Sequence, residues 1–571
     1  MRTVIVRSVY ATAEKQPQRT QRAQKKQVSA FSARSAVAFL VLAATAISLS
    51  VAAQQPSSTQ VTPEDLRDGL KNPTRWLTYS GNYGNHRHSP LTQITPANVN
   101  RLVAQWQFQT DTLGKFEAAP LALDGVVYVT GPLDTGWAID ARTGRQIWRY
   151  RRDLPSGLIA CCGLVNRGFG VMGDRLFKTT LDAHVVAISR KTGAIEWDTA
   201  MANFRNGYSG TTAPLVVKDK VIVGVAGAEY GVRGFIAAYD VQSGKQVWRF
   251  YTTAGPEDPG HGTWRGTDDK AWEHGGGSIW VPGAYDPELN LVYWGTGNAG
   301  PDYNGLEREG DNLYTASIVA LDADTGKLRW HYQFTPHDIW DYDSTQMPVL
   351  ADLTINGAQQ KVVLFANRNG FFYVLDRATG KLVRAKPFIQ TTWAKQVRPD
   401  GRPMLLPNSV PSEEGTKVCP DQSGGTNWMP PSFDPSLGLF FVTARESCGI
   451  FFTWKDDYTP GEAFRGGAVQ RLGETQFSAL RAIDVATGEK RWEFPYTSQS
   501  WAGVLSTASG LVFAGGSGNL MAFDAKTGKN LWHFQTGSSL YAGAITYMVD
   551  DKQYVLMPVG TSLTAFALAE F

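Results

Sequence analysis

Two neighbouring cysteines, Cys161 and Cys162, are the most unusual chemical feature of this 571-residue sequence. A disulfide bond between adjacent residues closes a strained eight-membered ring and distorts the peptide unit inside it. Strain of this kind is expected where it serves a function. The alternative is a pair of reduced cysteines in a strand, which would suit a reducing compartment. The pair therefore predicts a vicinal disulfide in a functional site.

A second group of residues consists of oxygen donors on separate segments. Glu229 lies in AGAEYGVRG, Asn298 in WGTGNAG, and both Asp341 and Asp343 lie in HDIWDYD. Hard oxygen ligands suit calcium or a similar cation, whereas zinc sites use clusters of His and Cys. His337 is interpreted as a structural partner of its loop. Taken singly, each carboxylate has the alternative of being solvated or ion-paired.

The N-terminal segment differs from the rest of the chain. Residues 1–53 carry eight basic side chains and one acidic one, and an apolar stretch from Ala36 to Val51 precedes Ala52-Ala53. These features are typical of a secretory signal peptide, and an uncleaved membrane anchor is the alternative. We therefore predict a signal peptide over 1–53, a single mature domain over 54–571, a periplasmic location and no stable membrane span after cleavage.

Charge and cysteine usage exclude several classes of protein. Removing the basic segment changes the formal charge from +3 to −4, so no nucleic-acid partner is expected. The four cysteines form neither CxxC nor CxxCH, which argues against a zinc ribbon and against covalently attached haem c. A redox enzyme of this kind must pass its electrons to another protein.

A repeated segment predicts the fold that positions these residues. The shared pattern is small-x-Asp-x-x-Thr-Gly followed by a Trp eight positions after the Asp, with Ser189 in place of the Asp, Ser243 in place of the Thr and Arg384 in place of the Trp in one copy each. The Asp can cap backbone N–H groups in a tight turn, and the Gly can take a positive φ. The copies are AIDARTGRQIW ending at Trp148, AISRKTGAIEW at Trp197, AYDVQSGKQVW at Trp248, ALDADTGKLRW at Trp330, VLDRATGKLVR at Arg384, AIDVATGEKRW at Trp492 and AFDAKTGKNLW at Trp532.

Such hairpins cannot bury their apolar faces alone, so the units must stack radially. The seven copies and the isolated Trp106 predict an all-β, eight-bladed β-propeller with tryptophan-docking repeats. We expect the last blade to close by pairing an N-terminal strand with QYVLMPV. Long spacings after Trp248 and Arg384 mark insertions, which place functional loops on one face.

Ordered motifs over nearly the whole mature chain resemble the pyrroloquinoline quinone (PQQ)-dependent methanol and ethanol dehydrogenases. The resemblance runs from WLTYSGNYGNHRHSPLTQI to the C-terminus. The motifs are FEAAPL, ACCGLVNRG, TTAPLVVKDKVIVG, GAEYGVRG, GGGSIW, GTGNAGP, TPHDIWDYD, ANRNG and QSWAG, together with Cys419 and Cys448.

The resemblance implies a set of residues that hold the quinone. Cys161 and Cys162 would form the vicinal disulfide on one face of the cofactor, and Trp280 would stack on the other face. Arg368 and Asn427 would approach the quinone carbonyl groups. Further cofactor contacts are implied for Glu117, Arg167, Thr211, Gly227, Ala228, Ser278 and Trp501.

The resemblance also implies a metal ion that acts as a Lewis acid on the quinone. Glu229 and Asn298 would bind the ion, and Asp341 would accept the hydroxyl proton of the alcohol while Arg368 stabilises the growing negative charge. Asp343 gives WDYD, the pattern of the lanthanide-dependent branch, so we predict Asp341 and Asp343 as further ligands of one lanthanide(III) ion, with calcium as the alternative.

A structural disulfide between Cys419 and Cys448 is implied as well. The expected activity is oxidation of primary alcohols to aldehydes, with a soluble periplasmic cytochrome c as electron acceptor; a homodimer is compatible with the resemblance. Methanol-selective members place an aromatic residue near Asp302, so a narrow methanol pocket is not expected. The region of Gly560 lacks a Trp that some relatives have beside the cofactor. The alternatives are a PQQ dehydrogenase for polyols or sugars and a non-catalytic, assembly-factor-like propeller.

Overall fold

A computed structural model describes residues 60–355 and 357–570. The predicted signal peptide over 1–53 lies outside the described residues. Strands dominate the described part of the chain, which confirms the predicted all-β class. No helix there is long and apolar enough to cross a membrane. The helices are the α-helix Pro63–Asp68 and the 3-10 helices Gly69–Lys71, Val99–Arg101, Phe204–Asn206, Ala228–Tyr230, His261–Thr263 and Ala271–His274.

The strands form eight sheets of four or five strands within the described residues. We number these sheets I to VIII. Sheet I contains Arg75–Trp76, Leu121–Leu123, Val126–Gly131, Thr135–Asp140 and Gln146–Arg151; sheet II Gly170–Met172, Arg175–Thr179, His184–Ser189 and Ile195–Ala200; sheet III Leu215–Val217, Lys220–Gly224, Phe235–Asp240 and Gln246–Tyr251; sheet IV Ala284–Asp286, Leu291–Gly295, Ser317–Asp322 and Leu328–Gln333.

The remaining sheets are antiparallel as well, except that His88–Ser89 pairs parallel with Leu505–Thr507 in sheet VII. A small two-stranded sheet, Ala394–Val397 with Pro403–Leu405, lies between sheets V and VI in the sequence. Sheet V contains Val349–Ile355, Ala358–Ala366, Phe371–Asp376 and Leu382–Pro387; sheet VI Thr416–Val418, Ser432–Asp434, Leu439–Thr453, Gly467–Asp484 and Lys490–Pro495; sheet VII His88–Ser89, Leu505–Thr507, Leu511–Gly516, Asn519–Asp524 and Asn530–Gln535; sheet VIII Leu102–Gln109, Ile545–Val549, Lys552–Val559 and Ser562–Leu568.

The repeated Asp-x-x-Thr-Gly segment forms the turn between the last two strands of a sheet. In sheet I, Asp140 Oδ1 accepts hydrogen bonds from the backbone N–H groups of Arg142 and Thr143 at 3.1 and 2.8 Å. Gly144 follows with φ +73°, and a Cβ there would lie 2.7 Å from the Trp106 ring. The glycine is therefore required both by the turn and by the docked indole.

Each repeat's tryptophan docks on the turn of the next sheet. Its indole N–H donates to a backbone carbonyl of the neighbouring sheet at a distance of 2.9 to 3.3 Å. In most pairs this carbonyl belongs to the residue directly after the turn Asp. The pairs are Trp106 to Ala141, Trp148 to Arg190, Trp197 to Val241, Trp248 to Ala323, Trp330 to Arg377, Trp492 to Ala525 and Trp532 to Leu102.

Arg384 ends the one repeat that lacks an aromatic residue, and it makes the same kind of contact. Its guanidinium donates to the Val485 carbonyl at 3.4 Å. The side chain also lies over Gly488, where a Cβ would come within 3.1 Å of Arg384 Cδ. The long apolar stem of arginine thus substitutes for the indole at this junction.

The pairing of the N-terminal strand differs from the prediction. Leu102–Gln109 pairs antiparallel with Ser562–Leu568 and not with QYVLMPV. QYVLMPV lies in Lys552–Val559, which is already paired on both sides within sheet VIII. Ser562–Leu568, which follows it after the turn at Gly560-Thr561, therefore lies between QYVLMPV and the N-terminal strand.

Candidate active site

Sheet topology brings the predicted site residues to one end of the sheets. In an antiparallel sheet, the loop before the first strand and the loop between the second and third strands lie at the same end. Glu117, Thr211 and Trp280 lie in loops of the first kind, and Glu229 and Arg368 lie in loops of the second kind. The docking turns join the third and fourth strands, so they lie at the opposite end.

These loops enclose a cavity of about 510 Å³. Two of the predicted residues, Ala228 and Asn298, do not line it, and both are buried directly behind its wall. The predicted residues that do line it are Glu117, Cys161, Cys162, Arg167, Thr211, Gly227, Glu229, Ser278, Trp280, Asp341, Asp343, Arg368, Asn427 and Trp501.

Cys161 and Cys162 are joined as a disulfide, and Cys162 has φ +69°. Its Sγ lies 3.9 Å from Glu229 Oε1, which puts the disulfide beside the carboxylate groups of the cavity. Trp280 lies in the same cavity, with the Arg167 guanidinium 4.7 Å from its ring centre. The cavity therefore has a disulfide and a large aromatic ring among its walls.

One end of the cavity is rich in basic groups. Arg167 donates to Glu117 Oε2 at 2.8 Å and to Thr211 Oγ1 at 3.0 Å. Lys115 Nζ lies 2.8 Å from the other carboxylate oxygen of Glu117. Two cations share one carboxylate, so this end keeps a net positive charge that suits an anionic ligand.

The other end of the cavity is rich in carboxylates, with Arg368 among them. Its Nη1 donates to Asp343 Oδ2 at 2.5 Å, and its Nη2 donates to Asp341 Oδ2 at 3.3 Å. The Arg368 Nε–H also donates to the Gln422 carbonyl at 2.7 Å. The guanidinium is 9% exposed, so it orients both aspartates in a largely buried environment.

Asp341 is held in an unusual backbone conformation. Its φ is +58°, a region that non-glycine residues adopt only when their surroundings enforce it. Tyr303 donates its hydroxyl to Asp341 Oδ2 at 3.3 Å. Burial raises the pKa of Asp341 well above its usual range, although Arg368 opposes the shift.

Three further side chains complete the acidic end. Asn298 donates its backbone N–H to Asp343 Oδ1 at 2.9 Å and its side-chain amide to Asp302 Oδ1 at 2.7 Å. Burial and the nearby Glu229 raise the pKa of Asp302 to about 8. Burial also raises the pKa of Glu229. Crowded, buried carboxylates of this kind are stabilised by a bound cation.

A stack of two tryptophans forms part of the wall beside Asn427. The Trp428 and Trp501 rings are parallel within 5°, with centres 4.6 Å apart. The Arg445 guanidinium covers the outer face of Trp501 at 3.5 Å, and Lys115 Nζ lies 5.0 Å from the Trp428 ring centre. Cations at both ends hold the stack rigid.

Sequence reasoning missed a number of lining residues. Lys115 lies two positions before Glu117. Side chains two positions apart on an extended segment point to the same side, so Lys115 could have been predicted from Glu117. Trp428 follows Asn427 directly, and Tyr303 follows Asp302. The others have no local signal because distant parts of the chain bring them to the cavity. The lining residues without a predicted role are Lys115, Val165, Ser209, Asp302, Tyr303, Gln422, Ser423, Trp428, Arg465, Arg471 and Tyr541.

Known proteins share both the sequence and the fold. The PQQ family described as "Glucose/ethanol/alcohol dehydrogenase, beta-propeller domain" matches residues 76–388 and 493–555. The chain is 40% identical over 509 residues to the quinohemoprotein alcohol dehydrogenase ADH IIB of Pseudomonas putida, covering 85% of this chain and 73% of that protein. The chain belongs to the PQQ-dependent alcohol dehydrogenase family. The resemblance inferred from the motifs is thereby confirmed.

Two other members of the family carry metals in their names. The lanthanide-dependent methanol dehydrogenase of Methylacidiphilum fumariolicum is 36% identical, over 78% of this chain and 77% of that protein. The solved structure of a europium-containing methanol dehydrogenase matches with a TM-score of 0.84 and 34% identity, over 88% of this chain and all of that one. The predicted propeller architecture agrees with this family membership, and the predicted Cys419–Cys448 disulfide is present.

Proposed function

We propose that this chain is a periplasmic enzyme that oxidises small primary alcohols to aldehydes with PQQ and a metal ion, and passes the electrons to a separate cytochrome c. The observation that carries this proposal is the composition of the one cavity. It combines the Cys161–Cys162 disulfide, the Trp280 ring and a carboxylate cluster around Arg368. Stacking surfaces, anion-binding groups and a general base are the parts that quinone-dependent alcohol oxidation requires.

The cavity has the donors that a flat quinone with several carboxylates needs. Lys115 and Arg167 offer positive charge, and Thr211 and Ser278 offer hydroxyl groups. Within the described residues, Arg167 Nε is buried without a hydrogen-bond partner, so the guanidinium retains a donor for a ligand. The volume of about 510 Å³ lies within the range of about 300–1,000 Å³ for cofactor sites. The residues therefore fit the quinone.

The acidic end has the donors that a hard cation needs. Glu229 and Asp302 have no basic group within ion-pair distance in the described part of the chain, although both carboxylates are crowded together. We propose Glu229, Asn298, Asp341 and Asp343 as ligands of a lanthanide(III) ion. The extra carboxylate of Asp343 favours a trivalent ion over calcium, and the names of the two metal-bearing relatives support this choice.

When bound, the quinone and its metal ion supply a polarised carbonyl group that accepts a hydride. Asp341 accepts the hydroxyl proton of the alcohol. Its hydrogen bonds from Tyr303 and Arg368 both reach Oδ2, which leaves Oδ1 to take the proton. A neighbouring cation counteracts the burial that raises the pKa of Asp341, so the side chain remains a base.

The docking contacts support an eight-bladed ring. Seven indole contacts and the Arg384 contact each join one sheet to the next, and Trp532 of sheet VII reaches Leu102 of sheet VIII. Trp106 of sheet VIII in turn reaches Ala141 of sheet I. The contacts therefore form a cycle, and we infer that sheets I to VIII are the blades of one domain over 54–571.

Alternative substrates and roles make different predictions. A PQQ dehydrogenase for polyols or sugars would bind the same cofactor but would turn over glycerol or glucose faster than ethanol. A non-catalytic propeller would have no use for the Cys161–Cys162 disulfide beside a buried general base. The absence of CxxCH favours a separate electron acceptor over an internal haem c.

Reconstitution tests the proposal. Protein freed of metal and quinone is titrated with PQQ in the presence of a light lanthanide or of calcium, and the cofactor's absorbance reports binding. Dye-linked assays then compare ethanol, glycerol and glucose. We expect quinone binding and preferential turnover of ethanol; preference for glycerol or glucose would favour the polyol alternative, and failure to bind quinone would remove the proposal.

The variant Asp341→Asn isolates the role of the base. The amide has nearly the same shape but cannot accept a proton. We expect it to bind quinone and metal, as seen by absorbance and by metal analysis, while turnover falls by about 10²–10⁴-fold, the contribution of a general base. Near-normal turnover would assign the base to another residue.

A further inference from the structure

Sheet VI carries an extension that contributes Arg465 to the cavity wall. Its two central strands, Leu439–Thr453 and Gly467–Asp484, contain 15 and 18 residues, whereas the corresponding strands of the other sheets contain five to nine. We call the connecting residues 454–466 the arm. Tyr458 of the arm stacks on His274 with ring centres 4.2 Å apart, and Phe464 meets the same ring edge-on at 5.5 Å.

The arm fixes the backbone of Arg465 from several sides. The Arg465 N–H donates to Asp456 Oδ2 at 3.1 Å, and its carbonyl accepts from the Tyr303 N–H at 2.9 Å. The preceding residue, Phe464, donates its N–H to the Glu229 carbonyl at 2.7 Å. A residue on a long connection is thus held as firmly as one in a strand, which places its side chain at a defined point of the cavity wall.

The Arg465 side chain is exposed, lines the cavity and lies 4.0 Å from Cys161 Sγ. Arg167 and Arg368 each bind carboxylates at 2.5 to 3.3 Å, whereas Arg465 has no carboxylate within ion-pair distance in the described part of the chain. A guanidinium in this position has its donors available to a ligand that enters from solvent.

We infer that Arg465 binds the carboxylate of the substrate, and that hydroxy acids are therefore a preferred substrate class. This inference rests on the proposed alcohol oxidation. Tyr303 connects the two residues that would hold such a substrate. Its N–H donates to the Arg465 carbonyl, and its hydroxyl donates to Asp341. A short molecule can therefore present its hydroxyl group to Asp341 and its carboxylate to Arg465.

The same chemistry could be supplied by a carboxylate of the quinone. The basic groups at the other end of the cavity, the partly exposed Lys115 and the buried Arg167, are already suited to that role. Arg465 lies at the exposed side of the acidic end, where an entering substrate would meet it. A quinone carboxylate as the partner of Arg465 is an outcome that the experiment can distinguish.

The test compares ω-hydroxy acids with 1-alkanols of matched chain length on the reconstituted enzyme. The measured quantity is the ratio of kcat/KM for the acid to kcat/KM for the alkanol. We expect Arg465→Gln to lower this ratio by about 10- to 100-fold, as expected for a hydrogen bond to a charged group. Arg465→Lys should keep part of the ratio, because it retains the charge and loses the forked geometry.

Lys455→Gln is the matched control, since it removes one positive charge from the arm at a residue that pairs with Glu307 and does not line the cavity. It should leave the ratio unchanged. Added salt should lower the ratio for the wild type, because the contact is exposed. An absorbance titration with PQQ gives the quinone Kd of each variant.

Two results would overturn the inference. An unchanged ratio in Arg465→Gln would show that the guanidinium does not contact the substrate carboxylate. Equal losses for acid and alkanol, with a raised quinone Kd, would assign Arg465 to the cofactor. A wild-type enzyme without activity on 1-alkanols and hydroxy acids alike would instead refute the proposed function, so the two failures are distinguishable.

Discussion

Arg368→Met removes the one guanidinium that contacts both aspartates of the acidic end. Methionine fills much of the volume of the arginine stem and introduces no charge. In the metal-free protein, the variant leaves Asp341 and Asp343 buried without their counter-charge. In the metal-bound protein, a cation beside the same carboxylates supplies that charge. We therefore expect a destabilisation that depends on the metal.

The structure gives the size of the effect. With an effective dielectric constant of about 20, Coulomb's law gives roughly 7 kcal/mol for the 2.5 Å contact with Asp343 and roughly 5 kcal/mol for the 3.3 Å contact with Asp341. Desolvation offsets much of this attraction, and loss of one partner from a buried pair typically costs about 3–5 kcal/mol. An unfolding entropy of about 2.1 cal/mol/K per residue over about 500 residues converts this to a Tm lower by about 3–5 °C.

The assay is thermal unfolding of wild type and variant with and without a light lanthanide or calcium. We expect the full decrease in Tm without metal and a smaller decrease with it. Burial already raises the pKa of Asp341, and loss of Arg368 raises it further. The folded variant then binds a proton more tightly than the unfolded chain. Without metal, the difference in Tm between wild type and variant should therefore grow as pH rises and shrink as pH falls.

Arg377→Met is the matched control. Arg377 is 8% exposed and bridges Asp286 and Asp352 at 2.8 and 3.0 Å, away from the cavity. Its loss should lower Tm by a similar amount whether or not metal is present. If Arg368→Met leaves Tm unchanged without metal, or lowers it equally with and without metal, the charge balance argued for the acidic end is incorrect.

Three further predictions concern the sheets, the disulfide and the metal. Trp330→Ala should lose about 3–5 kcal/mol and lower Tm measurably, because it removes a buried ring and its docking hydrogen bond, whereas Arg384→Trp should change stability by less than about 1 kcal/mol. Replacing Cys419 and Cys448 by alanine should cost about 3–4 kcal/mol on the loop-entropy model, seen as a lower Tm under non-reducing conditions. Asp343→Ala should shift the metal requirement towards calcium, measured as turnover after reconstitution with each ion; full wild-type activity with calcium would contradict the lanthanide assignment.

The sequence repeat was sufficient to predict the sheets because one segment encodes two interactions. Its Asp and Gly form the turn, and its Trp docks on the next turn, so the spacing predicts both local structure and neighbour contacts. Arg384 breaks the residue pattern but not the contact. The closing strand was assigned one strand too early, because QYVLMPV and the strand after it are both apolar and only the pairing shows which of them is the edge.

The site was less predictable than the fold. Motif resemblance identified the residues that lie on loops close to their own strands, such as Glu229 and Arg368. Arg465 follows Phe464, whose N–H contacts the Glu229 carbonyl although the two residues are more than 200 positions apart. No local sequence pattern links Arg465 with Glu229. Asn298, predicted as a metal ligand, lies outside the cavity lining and donates its side-chain amide to Asp302, which does line the cavity.

Charge separation within the cavity is the basis on which the proposed function places two different ligands in one site. Basic and acidic residues each number five among the lining residues, but four of the five carboxylates lie at one end, while Lys115 and Arg167 face only Glu117 at the other. At the basic end, Lys115 and Arg167 share the single carboxylate of Glu117, so this end attracts the carboxylates of a quinone. The acidic end holds Glu229, Asp302, Asp341 and Asp343 against Arg368 and Arg465.

With all these groups ionised, the acidic end carries two negative charges more than its arginines compensate. A divalent ion would neutralise that excess by itself. A quinone carboxylate bound beside the ion would add one further negative charge, and the sum would then match a trivalent ion. Loss of the Asp343 carboxylate would lower the sum by one, which is why calcium should become sufficient in that variant. On the proposed function, a preference for a trivalent ion would therefore rest on the balance of charge over the whole acidic end and not on Asp343 alone.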